Sequence, residues 1–253
     1  MDLSATTGNS ISGNKEQTAI AQMFDNIAWR YDFLNHFFSL HIDRIWRRKA
    51  VNELRGRPLH HVLDVATGTA DLAIAIQKRH QPGHVTGVDI SEGMLAIGRK
   101  KIEKQGLQQQ ISLQYGNSEA LPFDEQTFDA VTVAFGVRNF EDLERGLGEM
   151  FRVLKSGCKL VVLEFSIPQN RIFRRIFYFY FFRILPFVGQ IISKDAQAYS
   201  YLPESVQSFP HGTDFKKRME NCGFEEVKIK MLSFGIATVY TGTKIESTAK
   251  ITF

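Results

Sequence analysis

Apolar residues recur at helical spacing early in the chain, at Met23, Phe24, Ile27, Ala28 and Tyr31 and then at Leu34, Phe37 and Phe38. This predicts two helices between Ile20 and Trp46, and a third running from Trp46 to Leu54. Gly56 and Pro58 punctuate the pattern, and from Leu59 the period changes. Short apolar or β-branched runs at His61–Val65, Val85–Asp89, Ile111–Tyr115, Phe128–Ala134 and Lys159–Phe165 read as strands. Three helical segments, Leu72–Lys78, Met94–Gln105 and Leu143–Leu154, separate them. Alternation of this kind predicts βαβ units and a parallel sheet. The rhythm breaks from Ser166 to about Asp214. A helix over Asp214–Cys222 follows, with Gly223 as its C-cap. Strands near Val227–Leu232 and Ile236–Thr243, joined across Ser233–Gly235, then form an antiparallel pair. The reading is an α/β fold with a seven-stranded, mostly parallel sheet.

The ends carry no such pattern. Residues 1–17 are rich in Ser, Thr, Asn and Gly and read as a disordered tail, neither signal peptide nor anchor. Residues 18–245 read as one domain, with 166–213 as an insertion, and 246–253 as a second tail. A length of 253 residues with 43% apolar and 23% charged residues suits such a domain and excludes a disordered or fibrous chain. Two cysteines, Cys158 and Cys222, make no disulfide framework and no metal-ligand spacing, so a reduced cytoplasmic setting and no metal are expected.

Charge changes the picture in one place. The net charge of +4 is modest, but between Phe165 and Lys194 there are four Arg, one Lys and no acid. The same stretch is crowded with Phe and Tyr. Ile172, Phe173, Ile176, Phe177, Tyr180, Phe181 and Ile184 fall on one helical face, with Arg171, Arg174 and Arg175 at its start. Aromatics suit an interfacial helix, and Arg suits anionic headgroups. A transmembrane helix is excluded by Arg183 and Pro186, since a central Arg costs about 2.5–3.5 kcal/mol on insertion. Covering the sheet or forming a homodimer contact are the alternatives. Nucleic-acid binding is disfavoured, because no matching basic stripe appears elsewhere.

The candidate chemistry begins at the loop Ala66-Thr67-Gly68-Thr69-Ala70-Asp71, between the first strand and its helix. There backbone N–H groups can approach a ligand with a helix N-terminus behind them. With only Gly68 as glycine, the match to a dinucleotide fingerprint is poor. Asp89 at the end of the second strand is the stronger signal, because an acid there can accept hydrogen bonds from both ribose hydroxyls. Asp89 could also cap the next helix, a role for which Ser91 competes. Asp64 could bind loop amides, and Thr69 could both cap a helix and touch a ligand. Asn117 and Ser118, after the third strand, lie where open α/β sheets bind ligands and could reach an adenine edge.

These residues resemble a known family. Val62-Leu63-Asp64-Val65-Ala66-Thr67-Gly68-Thr69-Ala70-Asp71 looks like the first motif of class I methyltransferases. Three further segments resemble the UbiE/MenG quinone C-methyltransferases. They are Tyr31-Asp32-Phe33-Leu34-Asn35 with Ser39 and Trp46, then Phe135-Gly136-Val137-Arg138-Asn139, then Arg152-Val153-Leu154-Lys155-Ser156-Gly157 leading into Leu163-Glu164-Phe165-Ser166. Asp195, Tyr199, Tyr201-Leu202 and Glu204-Ser205 also fit, so the resemblance runs from about Met23 to Lys244. It implies a Rossmann-like class I fold with a helical N-terminal lid and a substrate-binding insertion after strand five. It implies S-adenosyl-L-methionine as cofactor, with S-adenosyl-L-homocysteine as product, contacted by Gly68, Thr69, Asp89, Asn117 and Ser118. Thr67 and Ala70 depart from the family's usual glycines, Cys158 from another, and Ala134 from a serine that some members use.

The resemblance also implies C-methylation of demethylmenaquinol in menaquinone biosynthesis, by a peripheral protein at the inner face of the membrane. A benzoquinol of the ubiquinone pathway, or another small aromatic or lipid, is the enzymatic alternative. A non-catalytic membrane-surface adaptor that binds S-adenosylmethionine is the alternative of a different class. Arg is a poor general base, so Arg138 is expected to stabilise the forming phenolate directly or through a water. Asn139 would orient the ring oxygen or that water. Arg138 could instead pair with Glu141 or Asp142. Tyr31, Asp32 and His41 belong to the lid, and His36, His41 and His211 are read as surface or packing residues.

Overall fold

A computed structural model of the chain describes residues 18, 20–25, 28, 39, 41–184 and 196–245, with the backbone alone for 196–200. Both expected tails lie outside these residues, as do most of the expected N-terminal helices, including Tyr31, Asp32 and His36. Of that region the described parts are a helical segment over 20–25 and helix α1 (Ile42–Asn52). α1 buries Asp43, Trp46, Arg47, Ala50 and Val51, the stripe that a 3.6-residue period dictates.

The alternating pattern resolves into β1 (His61–Val65), α2 (Asp71–His80), β2 (His84–Asp89), α3 (Glu92–Lys104), β3 (Ile111–Tyr115), β4 (Phe128–Ala134), α4 (Leu143–Val153) and β5 (Leu154–Phe165). β5 begins five residues before the expected Lys159. Leu154 pairs with Phe128, and the register then slips so that Lys159 faces Ala130. Gly157 sits inside the slip at φ 75°, a conformation that suits glycine. The insertion ends with α6 (Ala196–Ser208), and α7 (Thr213–Asn221), β6 (Glu225–Leu232) and β7 (Ala237–Thr243) follow.

The seven strands run in the order β3-β2-β1-β4-β5-β7-β6. β1 to β5 pair in parallel, and β7 is antiparallel to both β5 and β6. Side-chain alternation sorts the core into two layers. Val62, Val161 and Val239 face α1 and α2 on one side. Leu63, Val162 and Tyr240 face α4 and α7 on the other, against Leu147, Met150, Phe215 and Met219.

The insertion departs from the single expected face. α5 (Arg171–Phe179) runs into a π-helical turn at Tyr180–Ile184, which rotates the later residues. Phe177 and Phe181 are buried beside Val206 and Phe165. Each such burial contributes about 1.5–3 kcal/mol. Ile172 and Ile176 are left outside, 70% and 59% exposed.

Candidate functional site

The strand order reverses direction between β1 and β4, and open α/β sheets bind ligands at such a switch, beyond the carboxyl ends of the strands. A cleft lies there, open to solvent and lined by twenty-two residues. Its floor comes from the loops after β1, β2, β3 and β4, and its roof from Ile20 and Phe24 of the 20–25 segment.

The β1 loop owes its path to alternating left-handed residues: Ala66 at φ 50°, Gly68 at 54° and Ala70 at 67°. Ala70 takes this conformation where the family resemblance implied glycine. A left-handed alanine costs roughly 1–2 kcal/mol. Its fully buried methyl, packed toward Gly98, offsets much of that. The other departure, Thr67, also has a partner: its hydroxyl donates to Asp64 Oδ2 at 2.7 Å, while Thr132 donates to Oδ1 at 2.7 Å. Asp64 is therefore held by two hydroxyls rather than by loop amides. Burial pushes its carboxyl up to about 6 in spite of those bonds.

Asp89 closes the loop from the other side. Its Oδ2 accepts from the Gly68 amide at 2.8 Å and its Oδ1 from the Ser91 amide at 2.9 Å. Ser91, not Asp89, caps α3, accepting from the Met94 amide at 3.1 Å. Each carboxylate oxygen keeps a lone pair, and Asp89 lines the cleft. This donor-and-acceptor set fits a nucleoside with two free ribose hydroxyls. Burial pushes Asp89 up to about 6, against the hydrogen bonds from Ser91 and Gly68.

Gly68, Thr69, Asp89, Asn117, Ser118 and Asn139 all line this one cleft. Thr69 Oγ1 also accepts from Lys101 Nζ at 3.1 Å. Asn117 folds its own turn, Oδ1 accepting from the Glu119 amide at 2.8 Å. Asn139 closes a 3₁₀ turn at Val137–Asn139, and its Oδ1 accepts from the Tyr201 hydroxyl of α6 at 3.0 Å.

Arg138 is placed differently from the sequence expectation. Its guanidinium does not line the cleft but lies behind the turn, with a side chain only 5% exposed. Nη1 donates to Glu164 Oε1 at 2.9 Å and to the Phe135 carbonyl. Glu164, on β5, has a side chain sealed from solvent. It draws the cation inward because a buried carboxylate needs a partner. Neither Glu141 nor Asp142 holds Arg138; both instead give their amides to Glu119, at 2.9 and 3.2 Å. Burial raises the Glu164 carboxyl, and Arg138 opposes that shift. Arg138 Nε is buried without a hydrogen-bond partner among the described residues.

Sequence reasoning missed Arg47, which reaches the cleft from α1, and Glu119, which lines it from the β3 loop. Two local signals separate Arg47 from Arg44 and Arg48: its place on the buried stripe and Asp43 one turn earlier. Among the described residues no group of three or more His, Cys, Asp or Glu could hold a metal ion, and no helix is long and apolar enough to cross a membrane.

Known proteins agree with this geometry. The ubiE/COQ5 methyltransferase family model matches residues 11–244. A Bacteroides fragilis protein named demethylmenaquinone methyltransferase is 48% identical over 230 residues, covering 91% of this chain and 94% of that protein. A Geobacter sulfurreducens protein named ubiquinone/menaquinone biosynthesis C-methyltransferase UbiE is 48% identical over 89% of this chain and 88% of that one. Among solved structures, a SAM-dependent methyltransferase from Thermotoga maritima superposes at a TM-score of 0.60, with 21% identity, over 88% of this chain and 99% of that one. The [4+2]-cyclase SpnF superposes at 0.64 with 16% identity, covering 91% and 97%, so the fold alone does not name the reaction. Identity across nearly the whole length does name the family. The chain belongs to the ubiE/COQ5 methyltransferase family and is an S-adenosylmethionine-dependent methyltransferase.

Proposed function

We propose that the protein methylates a ring carbon of demethylmenaquinol, giving menaquinol. The observation that carries this reading is the juxtaposition, in one cleft, of the ribose-type acceptor Asp89 with Asn139, whose amide is held by the insertion helix α6. Relatives named for demethylmenaquinone support the naphthoquinol, and those named for both quinones keep a benzoquinol as the second substrate.

S-adenosylmethionine, when bound, supplies an electrophilic methyl on a cationic sulfur. Gly68, Thr69, Asp89, Asn117 and Ser118 would hold it. The substrate must be the reduced quinol, because its ring carbon provides the electron pair. A carbon–methyl bond forms, the sulfur–methyl bond breaks, and the ring carbon then loses its proton. Positioning and charge stabilisation carry such a reaction. Asn139 orients the quinol oxygen or a water beside it. Arg138 acts from behind the turn: paired with Glu164 and bonded to the Phe135 carbonyl, it braces the loop that carries Asn139.

A polyprenyl quinol is largely lipid, so the protein would work as a peripheral protein at an anionic membrane surface on the cytoplasmic side. Ile172, Ile176 and Phe179 stand exposed on α5, with Arg171 and Arg175 between them. The face continues through Phe173, which stacks on Phe234 at 4.0 Å, to the exposed β6–β7 turn. Charge complementarity favours anionic lipid over a second copy of the chain.

Labelled S-adenosylmethionine incubated with each reduced quinone precursor, with and without membranes, tests the assignment. Label should enter the demethylated naphthoquinol. Transfer to no quinol overturns it, and tight cofactor binding without transfer points to a membrane adaptor.

A further inference from the structure

Four acids line the cleft, Asp64, Asp71, Asp89 and Glu119, and Arg47 is the one cation among its described lining residues. The acids suit the positive sulfur and the ammonium of S-adenosylmethionine. They do not suit the carboxylate at the end of its methionine tail. We infer that Arg47 binds that carboxylate, a role that rests on the cofactor reading above and adds a specificity residue from outside the nucleotide motifs.

The geometry around Arg47 is that of a built site. Its side chain is only 11% exposed, and its guanidinium carbon lies 5.6 Å from the centre of the Phe135 ring, whose residue also lines the cleft. Asp43, one turn earlier on α1, pairs with Nη1 and is itself fixed by the Ser39 hydroxyl at 2.7 Å. Nη2 is 3.8 Å from Asp71, a charge contact too long for a hydrogen bond. One edge of the fork is therefore tethered while the other keeps donors available, the arrangement that receives a carboxylate. Lys101, the other cation nearby, is bound to Asp71 and Thr69 and does not line the cleft. The start of α2 lies across from Arg47. The positive end of that helix's dipole adds a second attraction for the same anion.

The test compares two ligands that differ in one group: S-adenosylhomocysteine and its descarboxy analogue, the thioether carrying a 3-aminopropyl chain. Calorimetry on the intact protein gives both affinities for the wild type, Arg47→Gln and Arg47→Lys. A charge-assisted contact predicts that the wild type prefers S-adenosylhomocysteine by about 10- to 100-fold. Arg47→Gln should reduce that preference below about 3-fold while leaving the analogue's affinity in place. Arg47→Lys should keep part of the preference. Equal binding of the two ligands by the wild type, a measurement that needs no variant to fold, overturns the assignment to Arg47. So does an undiminished preference in Arg47→Gln. Failure of the wild type to bind either ligand would instead overturn the cofactor reading itself.

Discussion

Tyr201 donates its hydroxyl to Oδ1 of Asn139 at 3.0 Å, so a side chain from the insertion fixes an amide that faces the cleft from the β4 turn. Tyr201→Phe leaves that amide free to rotate. One neutral hydrogen bond is worth about 0.5–1.5 kcal/mol, so kcat on the quinol should fall about 3- to 10-fold. The KM for S-adenosylmethionine should stay within about 2-fold. Steady-state kinetics with each substrate varied separate the two. A loss confined to cofactor KM would contradict this placement.

The Arg138–Glu164 pair is buried on both sides, so removing one partner strands the other. Arg138→Ala should cost about 3–5 kcal/mol in urea unfolding, and adding Glu164→Gln should recover part of it. Because the pair braces the turn that carries Asn139, turnover of Arg138→Ala should fall about 10- to 100-fold with S-adenosylhomocysteine affinity retained. Unchanged turnover, or a pH optimum that moves downward, would remove Arg138 from the chemistry.

Asp89 must be ionised to accept from two hydroxyls, and its carboxyl in the free protein sits at about 6. Cofactor affinity should therefore be flat above pH 7 and weaken as pH falls through 6, by up to about 10-fold per unit. Asp89→Asn should bind more weakly and lose this dependence. Fold stability carries the opposite sign. Asp64 and Asp89 both ionise less readily folded than unfolded, so their contribution is complete below pH 3.8 and lost as pH rises through about 6. Binding calorimetry and thermal melts across this range read the two effects independently.

At Gly87 a β-carbon would lie 2.6 Å from Leu113 Cδ2 and 2.9 Å from the Thr67 side chain. Gly87→Ala should cost about 1–3 kcal/mol by overpacking. Because Thr67 holds Asp64, the displacement should also weaken S-adenosylhomocysteine binding. Denaturant melts and titration of the same variant check both, and a wild-type melting curve would show that the loop gives way freely.

The exposed face of α5 predicts lipid selectivity. The protein should sediment with vesicles rich in phosphatidylglycerol and far less with phosphatidylcholine alone, with binding falling as salt rises. Serine at Ile172, Ile176 and Phe179 should abolish sedimentation while leaving cofactor affinity unchanged. Retained vesicle binding, or a loss only of dimers in analytical centrifugation, would assign the face to something else.

The sheet was legible in the sequence because strand and helix periods differ, and each of the seven strands falls where the apolar runs are. The cleft was legible where motifs lie next to strand ends, as at Gly68, Asp89 and Asn117. Long-range pairing was not. Glu164 is 26 positions from Arg138, and only the parallel register of β4 and β5 brings them together. Arg47 showed only its i,i+4 spacing from Asp43, because the residues that place it at the cleft, Asp71 and Phe135, sit on other elements. The π-helical turn after Phe179 was equally silent, as was the split of the expected face into buried Phe177 and Phe181 and exposed Ile172 and Ile176.

β7 follows β6 in the chain but lies between β5 and β6 in the sheet. A growing polypeptide that has emerged only as far as Leu232 therefore has β6 in hand without its partner, since in the finished sheet β6 pairs with β7. At synthesis rates of about 5–20 residues per second, the free edge of β5 waits on the ribosome until Ala237–Thr243 arrives. The segment that closes the sheet is thus also the one whose delay exposes the longest unpaired edge to chaperones.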